Sequence, residues 1–384
     1  MFIVFVALLP VANGALAQDA FRFAVVSDSL AGNEWKTEKC TDENSGVGTI
    51  LPVMVQHLLG IHKSRPVSLI LYPGDLIAGR RNRDKATVAE CNLVQLQRWR
   101  EIVSPLVDAG IPIRITVGNH DAESTVPHRV RCGQHNWLYM PDMANFEALV
   151  KVCGDMREGV QGPASDLGWT YSFDMGSMHF IMLNAFTMFE NNSFSNETIK
   201  WLIDDLEKAQ TDGRTIFVAS HTPAFPGGTD RIWSSLPFYD PTYNCEGYQP
   251  PRGIDRRNQR DRFWNILKQH KVVAYFAGHD HNLQVQQVEG VWHVIAGGLS
   301  EELDPLNGAK QDKNSNRILY DGEWQNPRAL ELWPWMDDQK SYWGYVLATI
   351  QAERMTLEVY GTNTRPQAPD EIKLLKTFEL RGKR

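Results

Sequence analysis

Short apolar runs rich in β-branched and aromatic residues recur along the chain at Phe21 to Ser27, Val67 to Tyr72, Ile111 to Val117, His179 to Leu183, Thr215 to Ala219 and Val272 to Phe276. Runs of this length, bounded by polar or glycine-containing clusters, predict buried strands. Between several of them, stretches of mixed polarity predict helices at Ile50 to His62, Val88 to Val107, Asn196 to Ala209 and Gln259 to His270, the third approached by a Ser195/Thr198 capping signal. Strand and helix alternating in this way imply a layered α/β fold. From Val285 onward the texture changes to strand-like runs (Val291 to Ala296, Tyr345 to Ile350, Thr356 to Tyr360), so the C-terminal third is expected to be mostly β. Two irregular stretches, Thr222 to Gly253 and Asp304 to Tyr342, are expected as long loops. The second, with Trp343 directly after it, carries Trp324, Trp333 and Trp335, and these four tryptophans either pack a surface loop, the preferred reading, or line a substrate mouth.

The opening stretch, Met1 to Ala17, has no charged residue and ends Ala15-Leu16-Ala17, the pattern of a signal peptide ahead of a single mature domain over 18–384. That predicts a secreted or periplasmic protein. A retained anchor is the competing reading, although a span needs about 20 apolar residues, and no later segment is long and apolar enough to make one. With 42% hydrophobic and 22% charged residues the 384-residue chain has the composition of a folded globular protein. Its net charge of −7 argues against nucleic acid as the main partner. Five cysteines, Cys40, Cys91, Cys132, Cys153 and Cys245, suit export with up to two disulfides. Cys132 and Cys153 would close a loop of about 20 residues; buried free thiols are the alternative. Nothing in the sequence sets the oligomeric state.

Five polar motifs follow apolar runs directly: Ser27-Asp28-Ser29, Gly74-Asp75, Gly118-Asn119-His120-Asp121, Ser220-His221 and Gly278-His279-Asp280-His281. In an open α/β sheet the carboxyl ends of the strands form the ligand-binding edge, so residues about 250 positions apart can meet there. Asp, Asn and His together supply hard oxygens and neutral imidazoles, a donor set for two adjacent divalent cations such as manganese, iron or zinc. Such a pair activates a shared water as nucleophile and neutralises the charge of a phosphoryl group. Gly-Asp alone is usually just a turn, but Gly-Asn-His-Asp should arise by chance in roughly one in a thousand chains of this length.

These motifs resemble those of the calcineurin-like metallophosphoesterases, a superfamily that includes purple acid phosphatases, cyclic-nucleotide phosphodiesterases and nucleotidases, over Phe21 to about Val288. The resemblance implies two β-sheets packed face to face between helices, a four-layer αββα sandwich. It implies that Asp28 and His281 bind a first metal, that Asp75 bridges, and that Asn119, His221 and His279 bind a second. His120 would protonate the leaving oxygen or steady transition-state charge, with Asp121 orienting its imidazole. The implied activity is hydrolysis of a small phosphate ester by a metal-bridged hydroxide. One departure stands out: the family's first motif is commonly Asp-x-His, and here it reads Asp28-Ser29-Leu30. The tyrosine that purple acid phosphatases carry three residues after the bridging Asp is Ala78. Asn33, Ser29 or water would complete a first site that is expected to hold its ion more weakly.

Arg80, Arg81, Arg83 and Lys85 follow the bridging motif and would either clamp a second phosphate or form a solvated basic loop; Arg129 and Arg131 pose the same choice. His128, His135, His179 and His293 match no motif and are expected to be ordinary packed or polar histidines. Leu30 motivates one competing function, a catalytically weak or silent relative that binds a ligand in the same cleft. The tryptophan-rich stretch motivates another, a recognition module in which metals serve only stability.

Overall fold

The structure is a computed structural model and describes residues 20–31, 47–79, 88–122, 129–132, 136–139, 142–186, 194–225, 256–304, 329–333, 340–351 and 354–380. In chain order its main elements are β1 (Phe21–Val25), α1 (Ile50–Ser64), β2 (Leu69–Pro73), α2 (Val88–Asp108), β3 (Ile113–Thr116), α3 (Asn119–Ala122), β4 (Arg129–Cys132), β5 (Asn136–Tyr139) and α4 (Met143–Cys153). There follow β6 (Val160–Gln161), β7 (Tyr171–Met175), β8 (Met178–Leu183), α5 (Asn196–Thr211), β9 (Thr215–Ser220), α6 (Arg256–Gln269), β10 (Ala274–Ala277), β11 (Leu283–Val288) and β12 (Val291–Ala296). The last four strands are β13 (Ala329–Trp333), β14 (Trp343–Gln351), β15 (Arg354–Thr362) and β16 (Lys373–Glu379).

Two mixed sheets carry the architecture. One runs β16-β15-β14-β1-β2-β3 and the other β13-β11-β12-β10-β9-β8-β7-β6, with β4 and β5 as a separate hairpin. Strands β1, β2 and β3 are parallel to one another, as are β8, β9, β10 and β12, while the C-terminal strands add antiparallel edges. Because side chains alternate across a strand, each central strand feeds two cores. Phe23, Val25, Leu69 and Leu71 face Phe180, Met182, Phe217, Ala219, Ala274 and Phe276 between the sheets. Their neighbours Ala24, Val26, Ile70 and Tyr72 turn outward to α1 and α2, and Ile181, Leu183, Ile216, Val218 and Tyr275 turn outward to α5 and α6. The result is the four-layer sandwich that the resemblance implied.

Every expected strand and helix is present, with ends displaced by up to three residues. Ser195 caps α5 as expected, its Oγ accepting from Thr198 N at 3.0 Å. The stretch 304–342 is not wholly irregular, since Ala329–Trp333 pairs antiparallel with β11. Most of that stretch, Trp324 and Trp335, and nearly all of 222–253 lie outside the described residues, as does the opening segment 1–19. Among the described residues no helix is long and apolar enough to cross a membrane. Of the two readings of Cys153, disulfide with Cys132 or buried free thiol, the structure shows the second: Cys153 ends α4 as a free thiol buried in the helix-facing core, and burial pushes its thiol pKa up. Cys91 on α2 is disulfide-bonded.

His179 is packed, as expected, but it is also paired. Its Nδ1 lies 2.7 Å from Asp174 Oδ1 and its Nε2 2.9 Å from Asp205 Oδ2, which ties the β7–β8 hairpin to α5. Ser172 Oγ donates to Asp205 at 3.0 Å, and Arg214 stands 3.2 Å from Asp174. Burial pulls the imidazole pKa down, but the hydrogen bonds and charges of the two carboxylates outweigh it and leave the pKa raised. A pKa raised by folding contributes stability that is complete below the unfolded value, about 6.5, and is lost as pH rises through the folded value. His179→Gln should therefore lower the melting temperature most near about pH 6, with the deficit narrowing above neutrality. Equal deficits in thermal melts at about pH 6 and about pH 9 would contradict a charged staple.

Candidate metal centre

The five motifs converge where the parallel strands of both sheets end. Asp28 follows β1, Asp75 follows β2, Asn119 and His120 open the short α3 after β3, His221 follows β9, and His279 and His281 follow β10. All are buried, none more than 5% exposed. Hydrogen bonds between side chains and main-chain groups lock the two sheets together at this edge. The carbonyl of Pro73 accepts from His221 Nδ1 at 2.8 Å, and both oxygens of Asp28 accept from His279 N at 3.0 Å. Within the second sheet, Gly278 N donates to His221 O at 2.9 Å and holds the ends of β9 and β10 together. The close approach requires glycine: a Cβ on Gly118 would stand 2.1 Å from Asp75 Oδ1, and one on Gly278 2.4 Å from Asp28 Oδ2.

The donor atoms form two groups that share Asp75. In the first, Asn119 Oδ1 lies 3.2 Å from His221 Nε2 and 3.0 Å from His279 Nδ1, the two imidazole nitrogens are 3.1 Å apart, and His221 Nε2 is 3.3 Å from Asp75 Oδ2. Around a first-row ion with bonds of about 2.0–2.2 Å to nitrogen and oxygen, adjacent donors stand about 3 Å apart, which is the spacing seen here. Because a carbonyl only accepts, the Pro73 contact puts the His221 proton on Nδ1 and turns the Nε2 lone pair inward. Asp75 Oδ2 is buried and accepts no hydrogen bond, which suits a cation beside it. In the second group, Asp28, Asp75 and His281 place one donor atom each within 4.8 Å of one another, with His281 Nε2 3.8 Å from Asp28 Oδ1. The residues therefore fit two cations, four donors around one and three around the other.

Without an ion between them, these groups act strongly on one another. Burial alone would neutralise Asp75, yet the charges of His221 and His120 hold its carboxyl well below the usual range. Burial lowers His221, but the Asp75 charge more than offsets it and raises the imidazole to about 9. Burial, followed by the Asp75 charge, lifts Asp121 to about 7 against the amides of Gly118 and Leu76. Three of the proposed ligands, Asp28 (φ 62°), Asp75 (φ 51°) and His279 (φ 71°), adopt left-handed backbone conformations that non-glycine residues seldom take. Such strain concentrates at functional sites.

The structure thus brings Asp28, Asp75, Asn119, His120, His221, His279 and His281 together. It corrects the part given to Asp121. The His120 ring is held by Ala78, whose carbonyl accepts from Nδ1 at 2.6 Å. The Asp121 carboxylate instead accepts from the amides of Leu76 (2.9 Å), Ile77 (3.4 Å) and Gly118 (2.9 Å), fastening the loop that carries Asp75. Leu30 is 2% exposed, and Ser29 Oγ donates to the Leu76 carbonyl at 2.8 Å. Asn33, Arg80, Arg81, Arg83 and Lys85 lie outside the described residues. Arg129 and Arg131 belong to the β4–β5 hairpin. His293 is a buried anchor whose Nε2 accepts from Ala224 N (3.1 Å) and Phe225 N (3.3 Å) behind His221. Sequence reasoning missed the carbonyls of Pro73, Ala78 and Glu302, which orient the imidazoles; any residue type supplies a carbonyl, so no signal marks them.

The family model of the calcineurin-like phosphoesterases matches residues 21–283, from β1 to the start of β11. The chain belongs to that family. A human manganese-dependent ADP-ribose/CDP-alcohol diphosphatase is 28% identical over 112 residues, 29% of this chain and 27% of that protein, so the match spans about a quarter of the relative's length. Among solved structures, a purple acid phosphatase from yellow lupin (Lupinus luteus) superposes with a TM-score of 0.54 at 14% identity, covering 94% of this chain and 54% of that one. A dimetal phosphatase from Danio rerio gives 0.52 at 14% identity over 94% and 99% of the two chains. GAP50, the anchor in the inner membrane complex of Plasmodium, gives 0.52 at 14% identity over 96% and 90%. Likeness at these identities establishes the calcineurin-like fold.

The packing at Gly118 gives a test of the shared carboxylate. Gly118→Ala should displace Asp75 and weaken metal binding at both positions by at least the 10–100-fold typical of disturbed ligand support. Gly60→Ala, on α1 with nothing within 4 Å of its added carbon, should leave binding unchanged. Elemental analysis of the two variants after equilibration with limiting manganese checks the contrast, and matched metal contents would count against it.

Proposed function

We propose that this calcineurin-like phosphoesterase is an exported hydrolase of small phosphate esters that works with two divalent cations. The observation that carries the reading is the pair of donor groups sharing buried Asp75, one formed with Asn119, His221 and His279 and the other with Asp28 and His281. When bound, the cations supply a water of lowered pKa and neutralise charge on the phosphoryl oxygens. Carboxylate, amide and imidazole donors suit manganese, iron or zinc. Manganese is the first ion to try, because a partial relative is named for its dependence on it. Leu30 leaves the Asp28–Asp75–His281 position with a single imidazole, so that ion is held the more weakly. Export rests on the Met1 to Ala17 pattern.

Within this reading the protein's own groups divide the work. Pro73, Ala78 and Glu302 accept the Nδ1 protons of His221, His120 and His281, which leaves each Nε2 facing the cluster. His120 Nε2, 3.9 Å from Asp75 Oδ2, stands where it can hand a proton to a departing oxygen. Arg80 and Arg81 are proposed to steady a distal phosphate. A second reading, a weak or silent relative that binds a ligand in the same cleft, is favoured by Leu30 and by the anchor protein that shares the fold.

Purified protein should hydrolyse a nitrophenyl phosphate, lose that activity in excess chelator and regain it with manganese. Turnover that persists in chelator would refute the metal-dependent mechanism, and no turnover with both positions filled would favour the silent relative. His120→Ala should retain its metals and lose about 10²–10⁴-fold in kcat on alkyl esters. The loss should be smaller on nitrophenyl esters, whose leaving group needs no proton. Equal losses on the two substrate classes would remove His120 from the acid role.

A further inference from the structure

The strap that follows β12, Ser300 to Asp304, lies beyond the family-matched segment, which ends at residue 283. It closes directly over His281. The Asp304 Oδ2 atom accepts from His281 N at 2.8 Å, Asp304 N donates to His281 O at 2.9 Å, and the Glu302 carbonyl accepts from His281 Nδ1 at 3.1 Å. Three bonds from one short segment thus fix the main chain, the tautomer and the ring orientation of a single imidazole. The strap is itself anchored on both sides. Glu301 N donates to Leu30 O at 3.4 Å, Trp343 Nε1 donates to Ser300 O at 2.9 Å, and Ser341 Oγ donates to Asp304 O. The Glu301 carboxylate accepts from Thr49 Oγ1 at 2.9 Å and pairs with Arg365.

We propose that Asp304 is a positioning residue for the metal position formed by Asp28, Asp75 and His281, and that the Ser300–Asp304 strap sets how tightly that position holds its ion. The inference rests on the dinuclear reading above. Two features make this imidazole dependent on its support. Leu30 removes the other nitrogen donor expected at that position, so His281 is the one imidazole among its three donors. The position formed with Asn119 has two, His221 and His279, and His221 is fixed by Pro73 with no help from the strap. Groups that orient a ligating histidine typically contribute 10–100-fold to metal affinity. Loss of the Asp304 carboxylate should therefore loosen one ion and spare the other.

The test equilibrates manganese-loaded, full-length protein with a series of chelator-buffered manganese concentrations and measures bound manganese per chain, following the fold by circular dichroism. Wild-type protein should show two steps, and His281→Ala identifies which belongs to the Asp28 position. Asp304→Ala should weaken that same step by about 10–100-fold and leave the other within about twofold. Asp304→Asn, whose amide oxygen still accepts the His281 N–H, should restore it to within about threefold. If Asp304→Ala does not fold, Glu301→Ala, which frees the strap from Thr49 and Arg365, should still loosen only the His281 step. The proposal is overturned if Asp304→Ala leaves that step unmoved or shifts both steps equally, if Asp304→Asn fails to restore it, or if Glu301→Ala leaves it unchanged when Asp304→Ala is unfolded. Wild-type protein that binds no manganese would instead remove the metal centre itself, and the proposal with it.

Discussion

A carboxylate with no exposed surface, ringed by imidazoles and bare of hydrogen bonds on one oxygen, is tolerable only if positive charge lies beside it. Asp75 imposes that constraint, and much of the local structure follows from it. Strands from two different sheets must end at one level so that their first loop residues meet. Those loops must turn sharply, which places Asp28, Asp75 and His279 at positive φ, and they must pass close to one another, which leaves no space for a side chain at Gly118 or Gly278. Backbone strain of about 1–3 kcal/mol per residue persists only where neighbours over-determine it. Here Asp121 on one side and the His279 amide on Asp28 on the other provide that restraint.

Legibility followed the chemistry of side chains. The apolar central strands and the Asp, Asn and His residues at their ends could be read directly, because burial and ligation both demand particular residue types. The edge strand β16 could not, since Lys373–Glu379 is mostly exposed and shows no apolar alternation. β11 was equally opaque: its buried Gln284 and Gln286 look like surface residues, but their amides donate to the Phe225 carbonyl at 3.4 and 2.7 Å. Asp121 was assigned to the wrong partner for a related reason. A neighbour in sequence invites a side-chain pairing, whereas a buried carboxylate near a tight turn finds backbone amides first.

The sandwich itself does not decide function. Nearly the whole chain can be laid on a plant phosphatase, a fish dimetal phosphatase and a parasite membrane-complex anchor at the same 14% identity. Such likeness fixes where a site would be and leaves its content to the residues. In this chain one donor group has four members within about 3 Å spacing of their neighbours and the other has three, with an apolar residue where the family commonly places an imidazole. The proposed difference in how the two ions are held rests on these residues, not on the fold they share.

The distance between the two halves of the centre is set from below. Asp28 and Asp75 hang from one sheet, His221 and His279 from the other, and what spaces those sheets is a layer of aromatic rings. Phe23 on β1 meets Phe180, Phe217 and Phe276 of the opposite sheet at 5.2, 5.1 and 5.6 Å between centroids, each edge to face. An interior packed this densely transmits small volume changes instead of absorbing them. Trimming one of these rings would let the sheets settle toward one another beneath the metal donors, while the hydrogen bonds from His221 to Pro73 and from His279 to Asp28 resist the shift above. Donor spacing in this centre is therefore governed jointly by an apolar layer that contains no ligand and by hydrogen bonds between ligand side chains or amides and groups of the opposite sheet.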